Sequence, residues 1–85
     1  MTLMEIGIVI GKELEITHRD SGLVIVSFNK TEIRENGILT SSYGVGKTII
    51  KAKKDYCKKL MGARLAIDAF TSKRREIQLP KRITL

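Results

Sequence analysis

The chain has 85 residues, a net charge of +7 and 42% hydrophobic residues, a content that excludes disorder and suits one small domain spanning residues 1–85. Cys57 is the only cysteine, which excludes an intramolecular disulfide and points to a reducing compartment. Phe28, Tyr43, Tyr56 and Phe70 are the whole aromatic complement, too few for a broad base-stacking platform. Between Lys47 and Arg82 twelve Lys and Arg face three acids, Asp55, Asp68 and Glu76, so this stretch carries more than the entire positive surplus. Such a balance favours acidic partners, nucleic acid and nucleotides foremost.

In chain order, Met4, Ile6, Ile8 and Ile10 alternate with Glu5, Gly7 and Val9, which predicts a strand. The segment has no basic leader and no small-residue cleavage site, so it does not read as a signal peptide. No apolar run approaches the roughly 20 residues needed to span a membrane. Gly11-Lys12 predicts a turn, after which Leu14 and Ile16 continue the alternation. Arg19-Asp20-Ser21-Gly22 is a turn cluster, and Leu23 to Asn29 reads as a β-branched strand. Asn36-Gly37 predicts a type I′ hairpin joining Glu32–Glu35 to Ile38–Tyr43. A short helical turn capped by Thr31 is the alternative for the first arm.

The clearest element follows. Thr48 is a helix cap and Gly62 a left-handed stop. Ala52, Tyr56, Ile49, Leu60, Cys57, Ile50 and Met61 form one apolar arc, opposite Lys51, Lys54 and Lys58. Arg64 to Phe70 and Arg75 to Leu79 read as two final strands, with Pro80 stopping the second. The expected fold is α+β: one antiparallel sheet of about five strands with one main helix, residues 48–61, packed on one face.

Ser41-Ser42-Tyr43-Gly44-Val45-Gly46-Lys47-Thr48 invites comparison with a phosphate-binding loop, but a Walker A motif needs glycine where Ser41 stands. A chain of this length also cannot supply the parallel sheet of that fold. The segment can still bind an anion: Gly44 and Gly46 free the backbone ahead of a helix N-terminus, and Lys47 stands beside it. Equally, the glycines shape a turn and Thr48 is only a cap. Lys53 falls inside the apolar arc, where a lysine either snorkels or reaches a phosphate. Lys51, Lys54 and Lys58 are either a phosphate-contacting stripe or a solvated helix face. Lys73-Arg74-Arg75 and Lys81-Arg82 add basic clusters, and the guanidinium fork of Arg74 and Arg75 suits phosphate.

Catalytic chemistry finds no footing. His18 lies in a predicted turn with no nucleophile near it, Cys57 reads as a core thiol, and the carboxylates are scattered. No catalytic residue, metal site or cofactor is expected.

The pattern Gly44-x-Gly46-x-Thr48-x-x-x-Ala52-Lys53-Lys54-Asp55-Tyr56, following three strands, resembles the C-terminal half of a double-stranded-RNA-binding domain. That resemblance implies phosphate contacts from Lys47, Lys51 and Lys54, although that family's first helix is not evident here. The same glycine–threonine–alanine pattern resembles HicB-type antitoxins. Residues 43–80, with their Gly-x-Gly-x-Thr turn and closing Arg-Glu-Ile-x-x-Pro, resemble small basic proteins of bacteriophages. Some of those counter host defence by sequestering nucleotide signals or blocking a defence protein. The expectation is a cytoplasmic, non-catalytic binder of a phosphate-bearing ligand, in the host cytoplasm if phage-encoded. Its expected ligand residues are Gly44, Gly46, Lys47, Thr48, Lys51, Lys53, Lys54, Arg74 and Arg75. The alternative is an inhibitor of a host protein, acting through its basic face or a sheet edge. A homo-oligomer is also expected, because so small a core gains from self-association.

Overall fold

The computed structural model describes residues 1–85. It contains two helices, α1 (Leu3–Ile10) and α2 (Ile49–Leu60), and seven strands: β1 (Leu14–His18), β2 (Val24–Phe28), β3 (Thr31–Glu35), β4 (Ile38–Ser41), β5 (Gly44–Gly46), β6 (Arg64–Ile67) and β7 (Arg75–Gln78). The α+β class and the antiparallel pairing agree with expectation. The single sheet does not: the strands form two sheets, in the orders β1-β2-β5 and β4-β3-β6-β7.

The division happens at two short crossings. Asn29-Lys30 carries the chain from β2 into β3, and Ser42-Tyr43 carries it from β4 into β5. Both hairpin arms expected around Asn36-Gly37 are strands, and the turn residues take φ values of 50° and 80°, the left-handed pair of a type I′ turn.

The N-terminal segment is a correction. Residues 3–10 form a helix rather than a strand, so a helix does precede the first strand. A capping box starts it: Thr2 Oγ1 accepts the Glu5 N–H at 3.1 Å, and Glu5 Oε1 accepts the Thr2 N–H at 2.9 Å. Gly11 ends it at φ 71°. Leu3, Ile6 and Ile10 recur at helical spacing and join the common core with Leu65, Ile67 and Ile83. The alternation of branched residues suggested a strand, but helical burial of these three side chains prevails.

α2 runs as expected, with Thr48 as its cap. Its buried arc is narrower: Ala52, Tyr56, Cys57 and Leu60 are buried, whereas Ile49, Ile50 and Met61 are exposed. The helix lies directly on β5, and two glycines allow this approach. A Cβ at Gly44 would sit 2.5 Å from Tyr56 Cβ and 2.6 Å from Tyr56 N, and one at Gly46 would sit 2.6 Å from Ala52 N. Asp55 ties the same pair together, its Oδ2 accepting the Val45 N–H at 2.9 Å. Tyr56, fully buried, reaches through the core to accept the Phe28 N–H at 3.2 Å and to share a hydrogen bond with Ser42 Oγ at 2.5 Å. One hydroxyl thus holds the ends of both crossings.

Gly44→Ala has nowhere to place its methyl except against backbone, so it is expected to destabilise the fold by about 3 kcal/mol. Urea denaturation of the variant against Val45→Ala, on the other side of the strand, checks this; equal midpoints would contradict the packing account.

Candidate functional site

The exposed face of α2 gathers several unpaired positive charges. Thr48 Oγ1 accepts the Lys51 N–H at 3.1 Å, and the turn it starts puts Lys51, Lys54 and Lys58 on one face, with Lys47 ahead of them. All four are exposed, and none forms an ion pair. At ~1.5 Å rise per residue, Lys51 to Lys58 span about 10 Å of helix axis. No acidic residue occupies the first turn, although a carboxylate there is worth about 0.3–1 kcal/mol through the helix dipole. The helix N-terminus, Lys47 and Lys51 therefore add positive potential at the same end, while Lys58 stands in the last turn.

The expected ligand residues separate into groups. Lys47, Thr48, Lys51 and Lys54 come together around the first turns of α2. Gly44 and Gly46 lie in β5 beneath the helix, where packing accounts for their missing side chains. Lys53 is half-buried and lines an apolar groove of about 500 Å³ with Leu3, Met4, Ile8 and Phe28, the position of a snorkelling lysine.

Arg74 and Arg75 belong to a different region and are engaged within the chain. Arg75 donates to the Ile10 carbonyl, placing a cation at the C-terminus of α1 where the dipole favours one. Arg74 Nη2 lies 3.0 Å from Glu76 Oε2. Glu76 also takes a two-point contact from Arg34, at 3.0 and 2.8 Å, and a third guanidinium, Arg64, at 2.8 Å. These hydrogen bonds, from Arg34, Arg74 and Arg64 in that order, draw its pKa from 4.5 to about 2. One carboxylate thus fastens β3, β6 and β7 across the outer face of the four-stranded sheet.

The other acids are also held. The Lys12 ammonium, 2.9 Å away, keeps Asp68 below its ordinary range. Partial burial alone would raise Asp55, but the Val45 N–H and the Lys59 ammonium at 3.1 Å outweigh it and leave it lowered. Burial pushes the Cys57 thiol up, away from the thiolate form a nucleophile needs. His18 is the exposed last residue of β1 rather than part of a turn. No group of three or more His, Cys, Asp or Glu is placed to hold a metal ion, and no helix is long and apolar enough to cross a membrane.

One residue that sequence reasoning passed over is Glu32. It appeared only as the start of a hairpin arm, yet its Oε2 is buried without a hydrogen-bond partner. An orphaned polar atom of this kind costs at least about 1–3 kcal/mol. Its only signal in the sequence was a carboxylate between Thr31 and Ile33, both buried in the fold, and local pattern cannot say whether such a group finds a donor.

No family model matches the chain, and neither does any curated protein or solved structure.

Because Glu76 titrates lower in the folded chain than when unfolded, the stability it contributes is complete above pH 4.5 and is lost as pH falls towards 2. Thermal unfolding of the wild type should therefore weaken across that window more steeply than that of Glu76→Gln. Parallel pH profiles for the two proteins would refute the arginine cluster as a stabilising contact.

Proposed function

We propose that this protein binds a phosphate-bearing ligand without catalysing a reaction on it, and that nucleic acid is the first candidate. The unpaired stripe Lys47, Lys51, Lys54 and Lys58 carries this reading. Local physics argues against uncompensated lysines at a helix N-terminus, where Lys47 and Lys51 stand with no acidic residue in the first turn. Departures of this kind concentrate at functional sites. The spacing also suits a phosphate backbone: at about 3.4 Å of rise per phosphate, the ~10 Å from Lys51 to Lys58 covers about three phosphate steps of one strand. Lysine supplies point charges for such contacts and carries no base preference. The resemblance to double-stranded-RNA-binding domains, through Lys47, Lys51 and Lys54, agrees in direction. A nucleotide signal, as in phage counter-defence, is the smaller version of the same ligand.

A protein partner is the second reading, and α1 favours it. Met4 and Ile8 are 77% and 74% exposed on a helix whose other face is core, and an exposed apolar patch marks an interaction site. A host protein or a second copy of the chain would cover it.

If the stripe contacts phosphates, Lys54→Ala weakens binding of unrelated duplex sequences to a similar extent and reduces the slope of log K against log salt by about one. Fluorescence anisotropy across a salt series measures this, and an unchanged slope would remove α2 from the interface. For the second reading, Met4→Asp with Ile8→Asp should abolish any concentration-dependent association seen by sedimentation velocity. A wild type that stays monomeric throughout would count against self-association through α1.

A further inference from the structure

Helix α1 has no polar face. Of its eight residues only Glu5 is charged, and that carboxylate is turned back onto the Thr2 N–H at 2.9 Å. Leu3, Ile6, Gly7 and Ile10 are buried, yet Met4, Ile8 and Val9 stand exposed on the outer side. A helix that is apolar all round belongs in an interior, with every face covered, and nothing within the chain covers this side. Eight residues are too few to cross a membrane, and helices that lie on one carry Lys and Arg along their outer face. α1 carries neither. What fits over it is another protein surface.

Beside the helix runs an apolar groove of about 500 Å³. Met4 and Ile8 line it from α1, and Leu14 and Phe28 line it from β1 and β2. The same patch thus holds a projecting ridge and a recess next to it. Three charged side chains also line the recess: Lys12, Glu13 and Lys53. Lys12 is neutralised by Asp68 at 2.9 Å. Glu13 and Lys53 have no ion-pair partner, and they are of opposite sign. A nucleic acid or an acidic protein would be repelled by Glu13, and a basic protein by Lys53. A surface with ridge, recess and one unpaired charge of each sign complements its own copy under a two-fold rotation, where each residue meets its counterpart's partner twice.

We infer that α1 is the seam of a symmetric dimer. The α1 ridge of each copy lies in the groove of the other, burying Met4 and Ile8, and Glu13 of each copy pairs with Lys53 of the other. This rests on the protein-partner reading of α1 and names that partner as a second copy of the chain. The apolar side chains supply the affinity, and the two ion pairs at the rim set the register. The net charge of +7 drives copies apart over the rest of the surface, whereas the unpaired charges of this patch cancel.

Sedimentation velocity of the full chain over a concentration series tests the pairing through charge reversal. The wild type is expected to dimerise. Glu13→Lys alone and Lys53→Glu alone each place two like-charge contacts in the seam and should weaken association by about tenfold or more. An equimolar mixture of the two variants should recover wild-type association to within a few-fold, because both contacts in the mixed dimer are again of opposite sign. An effect confined within one chain cannot be rescued by mixing. Single variants that associate as the wild type does, or a mixture that stays as weak as its components, would overturn the Glu13–Lys53 register. If Met4→Asp with Ile8→Asp still abolishes association in that case, α1 remains the interface and only the register fails. A wild type monomeric at every concentration would overturn the second copy as occupant and leave a different protein to cover α1. If Lys53→Glu does not fold, the double variant Glu13→Lys with Lys53→Met replaces it in the mixture with wild type, and association of that mixture as tight as the wild type alone would overturn the pairing.

Discussion

The contact between α2 and β5 governs much of the remaining structure. With no side chain on Gly44 or Gly46, the helix backbone rests on the strand backbone, and any methyl there would meet main-chain atoms of Ala52 or Tyr56. That proximity brings Tyr56 far enough into the core for its hydroxyl to serve Phe28 and Ser42 together. Phe28 precedes one crossing between the sheets and Ser42 begins the other. A single buried side chain therefore fixes where the chain leaves the three-stranded sheet and where it returns. Buried hydroxyls are retained when every bond they offer is made, and this one makes both.

The same contact orients the charge. Once Ala52, Tyr56, Cys57 and Leu60 face inward, the 3.6-residue period leaves Lys51, Lys54 and Lys58 no alternative to solvent. The cations then divide by position, with Lys12 and Lys59 paired to Asp68 and Asp55. Arg34, Arg64 and Arg74 surround Glu76, and Arg75 caps α1, uses that exploit the directional fork of guanidinium. Lys51, Lys54 and Lys58, compact and strongly hydrated, stay exposed and unpaired. The surplus of charge counted in the sequence is thus two populations, one structural and one unspent.

A polar cleft of about 530 Å³ lies at the crossings between the sheets. Splitting the strands into two sheets opens a corner where β1 and β2 face the start of β3 and the end of β4. Glu32 stands at this corner, and its Oε2 is shut away from water without a partner. Glu32 and Glu15 carry no periodic or spacing signal, since they meet only through the tertiary arrangement.

Local information in the chain was enough for several features. Thr48 and Gly62 bracket α2, Asn36-Gly37 dictates the hairpin, and the lysine stripe follows from spacing alone, because each depends on groups within about four residues of one another. The capping box of Thr2 and Glu5 was equally local, but an alternating run of branched residues masked it. Tertiary structure decided the rest. α1 is a helix because Leu3, Ile6 and Ile10 must reach residues of β6 and the C-terminal segment. Arg75 is occupied because Ile10, distant in sequence, comes within its reach, and Arg34 of β3 and Arg64 of β6 join Arg74 at Glu76. Burial and ion pairing depend on which distant groups meet, and no short-range pattern contains that information.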